Sequence, residues 1–459
     1  MLIKTQLIMK IKYLLNLALI LVSFSGCETF LNEKPDQALV VPRSIDDLWA
    51  ILDNSTQVMN QEGAHIEGSS DDVVILPFLF NTLSLEQKNT YTWSPEIWET
   101  PSGLDWNLPF RQIFFANTVL SELENLPERE KSSAEFNNLK GSALFYRAYA
   151  YFSLSKQFCP GYDEVSANEM LGLPLRTSPN ITSAVQRSSL KETFVLILND
   201  LEKAEGLLPE STPHITRPSK TAARAMLSRV FLYMGNFGKS LEYADLTLAL
   251  NNNLLDYNSV NPLPARPFVN NFKEVIFYSE LLFYTYYFFA DGAGVVQDLY
   301  DTYHSDDLRK ILFFFRRGDH YAFRGQYSFL VRLFSGLATD EIYLNKSECH
   351  ARFGQKNEAL ETLNTLLEKR YVKGTFHPYN GNEINDVLEL VLLERRKQLL
   401  LRGIRWGDLK RLNLLPGEEI SLTRTTPTGV FNLPPNDPRY AFPIPEEELQ
   451  LSGILQNPR

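Results

Sequence analysis

A mainly α-helical fold is what this sequence predicts: helical hairpins stacked into a curved superhelix, interrupted by irregular loop and short-strand insertions. Three observations predict it. Long stretches place apolar residues at helical spacing. Two segments, Thr221 to Leu250 and Thr339 to Arg370, repeat one pattern around a glycine turn. Between them, residues 256 to 335 lose helical period and become rich in aromatics.

The chain has 459 residues, 44% apolar and 22% charged. That balance is globular and excludes wholesale disorder and collagen. Its length suits a few ordinary domains or one large repeat-built body. Three cysteines exclude a disulfide framework and a Cys-rich metal cluster. The net charge is −10, and removing a leader that carries Lys4, Lys10 and Lys12 leaves about −13. Such a charge disfavours phosphate backbones and anionic lipid, so nucleic acid is not an expected partner.

Residues 1–26 read as an export signal: Lys10 and Lys12 precede an apolar core, Tyr13 to Phe24, too short to span a bilayer. The segment ends Ser23-Phe24-Ser25-Gly26-Cys27, small residues followed by Cys, as in a bacterial lipobox. Cleavage there would leave Cys27 as a lipid-bearing first residue on the outer side of the inner membrane. Residues 27–43, polar with Pro35 and Pro42, suit a tether, and a single body is expected over 44–459. Residues 44–60 look helical, with Ile45, Leu48, Trp49 and Leu52 on one face; 61–109 are loop-rich.

Helices then dominate. Pro109 to Leu126 and Ala134 to Gln157 are amphipathic or long helices, and Ser189 with Glu192 forms a capping box before Phe194, Ile197, Leu198 and Leu201. The two hairpins turn at Gly235-Asn236 and Gly354-Gln355. Each has a small residue seven before the glycine (Ser228, Ser347) and five after it (Ser240, Ala359). Apolar residues follow nine and about twelve after the glycine, at Ala244 and Thr247 and at Leu363 and Leu366. Small residues let two helices approach closely, which resembles degenerate tetratricopeptide (TPR) hairpins. Helical pairs are expected over about 110–255 and 336–412, the aromatic-rich insertion over 256–335, and a proline-rich tail wrapping the surface over 413–459. Asn385 to Arg402 reads as one strong helix stopped by Gly403. Cys159 and Cys349 fit buried free thiols better than a disulfide.

Chemical signatures do not emerge. No histidine pair has metal-binding spacing, and no P-loop, dinucleotide fingerprint or Gly-x-Ser-x-Gly elbow occurs. Asp71-Asp72 and Asp306-Asp307 read as solvated loop acids rather than calcium ligands or a catalytic pair. No cofactor or metal is expected; a structural calcium has no motif to support it.

The order of short motifs resembles the RagB/SusD family of outer-membrane nutrient-binding lipoproteins of Bacteroidetes. The motifs are Cys27-Glu28-Thr29-Phe30-Leu31; Trp106 through Asn117; Arg147 to Leu154 with Gly172-Leu173-Pro174-Leu175; Lys220 to Ala225; Asp340 to Leu344 with Glu348; Glu394-Arg395, Gly403, Arg405-Trp406, Asp408-Leu409 and Arg411; and Phe442-Pro443-Ile444-Pro445. Arg402 departs from the family's usual Glu before Gly403. The resemblance implies a SusD-like, TPR-based scaffold without catalytic activity, lipid-anchored in the outer membrane and facing the exterior. It further implies a lid on a SusC-like TonB-dependent transporter, binding glycan, or in some branches peptide. A non-catalytic scaffold that binds no nutrient is a third reading.

Candidate ligand-binding residues are aromatic. Trp93 and Trp98 lie in a Pro-rich loop where an exposed ring would stack on the C–H face of a pyranose, with Asp72, Asn81, Glu96 and Asp105 as polar neighbours. Alternation would put Tyr284 and Tyr286 on one strand face. Packing is the competing role for all four. Arg316, Arg317 and Arg324 suit an acidic sugar or a peptide carboxylate, with surface salt pairing as the simpler account. Glu394 to Arg411 is expected to pair internally and lock the scaffold.

Overall fold

The computed structural model describes Pro42 and residues 44–459, except 269–271, 285–290 and 329. Cys27, Tyr286 and the leader lie outside the described residues. Helix α1 (Ile45–Leu52) opens with a Ser44/Asp47 capping box and buries Leu48, Trp49 and Leu52. Short helices follow, among them α2 (His65–Ser69) and α3 (Leu85–Tyr91). Helix α4 (Leu104–Leu123) begins earlier than the expected Pro109, which sits inside it and lacks the N–H for one rung. Asp105 in its first turn complements the positive helix end.

Helix α5 (Ala134–Phe158) is capped by Ser133, whose Oγ accepts from Phe136 N at 3.0 Å. Every residue from Gly141 to Phe158 is buried, so this helix is enclosed on all sides rather than amphipathic. Helix α6 (Leu190–Leu207) has the Ser189/Glu192 capping box expected of it.

The two hairpins are α7 (Lys220–Tyr233) with α8 (Phe237–Leu250), and α9 (Thr339–Arg352) with α10 (Lys356–Glu368). Gly235 and Gly354 take φ +73° and +72°, a left-handed turn that L side chains resist. At the crossings, Ser228 Oγ donates to Ser240 O at 3.0 Å, Ser240 Oγ returns to Ser228 O at 2.9 Å, and Ser347 Oγ donates to Ala359 O at 2.7 Å. The small residues thus bring the backbones within reach of one side-chain oxygen. Helix α4 packs on α5, α5 on α6, α6 on α7, and α8 on α9, the stacked-pair arrangement of a TPR-like superhelix. The helix expected over 385–402 is α11 (Val387–Gln398), shorter at its C-terminal end; turns lead to Gly403 at φ +70°, and α12 (Arg405–Leu412) follows.

Residues 256–335 carry the expected strands, with short helices Gln297–Asp301 and Arg309–Leu312 between them. Strands β1 (Val73–Ile75), β2 (Ala293–Val295), β3 (Phe314–Arg317) and β4 (His320–Phe323) form an antiparallel sheet in the order β1-β2-β4-β3. The tail forms a hairpin, β5 (Leu422–Thr426) with β6 (Gly429–Leu433). It does not merely wrap the surface: Tyr440, Phe442, Ile444 and Ile454 join the main core, and Trp406 packs on Tyr440 and Phe442 at ring-centroid distances of 4.7 and 5.8 Å. Residues Ser44–Arg459 form one compact unit.

Asp71, Asp72 and Asp307 are not solvated. Arg405 makes a two-pronged pair with Asp71 (2.7 and 2.8 Å), Arg396 holds Asp72 at 2.7 Å, and Arg309 holds Asp307 at 2.7 Å. Within the Glu394–Arg411 segment, Arg395 and Arg411 share Asp408 at 2.8 Å each, and Arg411 reaches Glu348 at 2.6 Å. These buried pairs tie α9, α11 and α12 together. Cys159 and Cys349 are buried and free.

Ser347→Ala is expected to cost about 1 kcal/mol, the loss of one hydrogen bond. Ser347→Leu, which also forces the hairpin apart, should cost about 3 kcal/mol. Urea unfolding of both variants measures the difference; equal losses would refute close approach as the reason for a small residue here.

Candidate functional site

The structure gathers two of the aromatic candidates around a histidine. Helix α2 delivers His65, fully buried. Its backbone N–H donates to Asp105 Oδ1 at 3.0 Å, and Asp105 Oδ2 accepts from the Tyr284 hydroxyl at 2.5 Å. One carboxylate at the start of α4 therefore ties the α2 loop to the insertion. Tyr284 lies flat on the imidazole, ring centroids 4.4 Å apart and 7° from parallel. On α3, Glu86 meets His65 Nε2 at 2.8 Å. The ring of Trp98 lies 5.8 Å from His65, and its indole N–H donates to Pro443 O at 2.8 Å. A Cβ at Gly103 would come within 2.9 Å of the Trp98 ring, so that glycine makes the seat for the indole.

Trp98 and Tyr284 are both half-buried, and neighbouring Phe283 is 39% exposed. Their hydrogen-bonding atoms are satisfied by the protein, which fixes the rings without using all of their apolar surface. Burial opposes charge on His65, but the Asp105 carboxylate, then the Glu86 hydrogen bond and charge, hold its pKa above the ordinary range. Glu86 is lowered in turn: burial works against its ionisation and the His65 contact outweighs it.

Trp93 requires a correction as a stacking platform. It is 3% exposed, at φ +55°, with its indole N–H on Ser69 O at 2.9 Å and the Arg424 guanidinium 4.6 Å from its ring centre. No face is left for a sugar; this indole anchors the loop. Tyr286 lies outside the described residues. Of the polar neighbours, Asp72 and Asp105 are engaged internally, whereas Asn81 and Glu96 are exposed. Sequence reasoning missed His65 and Glu86, whose partners are distant in sequence and give no local spacing signal. Among the described residues no group of His, Cys, Asp and Glu is placed to hold a metal ion.

A scaffold of stacked helical hairpins with irregular insertions defines a mainly α, TPR-like protein. The sequence pattern of a SusD-like family described as starch-binding, associating with outer membrane, matches residues 29–232, and that of the SusD/RagB family matches 339–459. The chain belongs to the SusD family. It is 24% identical over 422 residues to SusD-like protein P2 of Formosa agariphila, covering 77% of this chain and 79% of that one. A putative sugar-binding protein of Bacteroides vulgatus has the same fold with TM-score 0.73 at 20% identity, over 91% of this chain and 98% of that one. A laminarin-binding SusD-like protein superposes with TM-score 0.63 at 18% identity, over 91% and 99%.

Two residues beyond His65, Glu67 is buried beside Asp72, accepts the Gly403 N–H, and has its pKa pushed up to about 8, chiefly by burial. The native state then binds more protons than the unfolded state between about pH 4.5 and 8, so stability falls as pH rises through that window, by at most about 1.4 kcal/mol per unit. Glu67→Gln should flatten this component in urea titrations from pH 5 to 8.5. An unchanged slope would assign it elsewhere.

Proposed function

We propose that this protein is a cell-surface lipoprotein that captures an oligo- or polysaccharide and passes it to a TonB-dependent outer-membrane transporter. The observation that carries the reading is the pairing of half-buried Trp98 and Tyr284 around His65, with the indole N–H and the phenol O–H both held by protein acceptors. Pyranoses present flat C–H faces, and ring stacking is the apolar contact that suits them. Membership of the SusD family and the sugar- and laminarin-binding names of its structural neighbours support the same ligand class. Cys27 would carry the lipid, and the tether would set the body outside the outer membrane. In this role the protein binds and releases; the energy for transport belongs to the transporter.

Affinity electrophoresis against laminarin, starch, galactan and polygalacturonate, followed by calorimetry, tests the reading. Trp98→Ala and Tyr284→Phe separate stacking from hydrogen bonding. Trp98→Ala should weaken glycan binding about tenfold, or 1.4 kcal/mol, while Tyr284→Phe, which keeps the ring, should change it little. Glycan binding unaffected by Trp98→Ala would move the site; no binding to any glycan would refute the function.

A further inference from the structure

A groove of about 520 Å³ runs between the outer face of α10 and the loop 376–381, within the range of small-ligand pockets. Helix α10 turns one row of side chains to it. Asn357, Glu361, Asn364 and Glu368 line the groove at the i, i+4, i+7 and i+11 positions that share a helix face. Ala359, Leu363 and Leu366 are buried on the other side of the helix. Phe376 and Tyr379 line the groove from the loop.

The loop is built against the helix. Asn364 holds both backbone groups of Tyr379: its Nδ2 donates to Tyr379 O at 2.8 Å, and its Oδ1 accepts from Tyr379 N at 2.9 Å. Phe376 rests on buried Tyr371 with ring centroids 5.1 Å apart, and it meets Tyr379 edge-on at 6.0 Å and 83°. Both rings pack on the core of the second hairpin, yet each stays half-buried. A Cβ at Gly381 would come within 3.1 Å of Asn357 Oδ1, so the loop closes on the first turn of α10. Rings held in place beforehand lose little freedom when a ligand binds.

The carboxylates of the groove are not spent on this construction. Glu361 and Glu368 are exposed and make no ion pair among the described residues, and no basic residue lines the groove. An ionised carboxylate only accepts hydrogen bonds, so this wall suits a ligand rich in donors and repels an anion. Seven residues separate the two acids, about 10 Å along the helix axis, which is more than one pyranose ring spans. A row of hydroxyls meets acceptors spaced in this way, and the C–H faces of the same rings suit Phe376 and Tyr379.

We propose that the α10 groove is a second glycan subsite, taking two or more linked, uncharged sugar units. The proposal rests on the glycan-binding reading and adds to it a site on the helical scaffold, apart from the insertion that carries Tyr284. A polymer long enough to reach both sites is held by each at the raised effective concentration that the other provides.

The test measures affinity for laminarin, starch and galactan in the wild-type chain, in Glu361→Gln/Glu368→Gln and in Asn357→Ala. For a polymer that binds, the double variant should lose about tenfold in affinity. Asn357→Ala should lose less, in the same direction. The melting temperature should be unchanged, because all three side chains are exposed. Affinity equal in the wild type and both variants overturns the groove and leaves capture at Trp98 standing. Binding of a Lys-rich peptide that the double variant loses, with glycan affinity unchanged, overturns the sugar assignment in favour of peptide. Binding to no glycan removes both readings.

Discussion

The enclosure of helix α5 is the constraint on which the rest of the structure depends. A helix buried on every face between Gly141 and Phe158 cannot leave its charges to water, and an unpaired buried charge costs several kcal/mol. The partners come from across the chain. Asp200 on α6 takes Arg147 in a two-pronged pair at 2.7 and 2.8 Å. Glu62 takes Lys156 at 2.9 Å and the Tyr149 hydroxyl. Lys410 on α12 donates to Lys156 O at 2.8 Å and to Cys159 O, placing an amine on the carbonyl end of α5, where the helix dipole is negative. Segments distant in sequence are thus registered on one helix, and the insertions that hold the aromatic cluster inherit that register.

Charge elsewhere in the interior follows the same rule of mutual supply. Glu274 and Asp340 lie near each other at the foot of the second hairpin. Arg370 answers the first at 2.6 Å and Arg402 the second at 2.9 Å. The departure at Arg402 is intelligible here: a Glu at that position would add a third acid to this cluster, whereas the guanidinium answers Asp340 and lies 5.3 and 5.0 Å from the Tyr327 and Phe334 ring centres. The Asp71-Asp72 pair is drawn in by Arg405 and Arg396 in the same manner. What reads in sequence as loop acids is an internal strut, because the cations that bury them lie on helices more than three hundred residues away.

The hairpins were legible because their determinants are local: a left-handed glycine at the turn and small residues at fixed offsets suffice to set the crossing. The start of α4 was less legible, since Pro109 carries a boundary signal that tertiary packing of Trp106 and Leu108 overrides. The candidate site was legible only in residue type. Trp93 and Trp98 lie in one loop with similar neighbours, yet one indole is driven inward by a left-handed backbone and an Arg424 contact, while the other stays half-buried against Gly103. Nothing local distinguishes them. His65 gave no signal at all, because what makes it a centre is Asp105, Tyr284 and Glu86, three residues supplied by three different elements.

The way the cluster is pinned bears on what it can recognise. The Tyr284 hydroxyl donates to Asp105 and the Trp98 indole N–H to Pro443, so neither has a donor left for a sugar hydroxyl. Rings held in this way lose little conformational freedom on binding, which favours affinity. The same pinning removes the directional contacts by which one sugar is told from another, since stacking alone accepts many pyranose faces. Selectivity therefore has to come from groups outside the cluster. The exposed carboxylate of Glu96, two residues before Trp98 in sequence, is one such group.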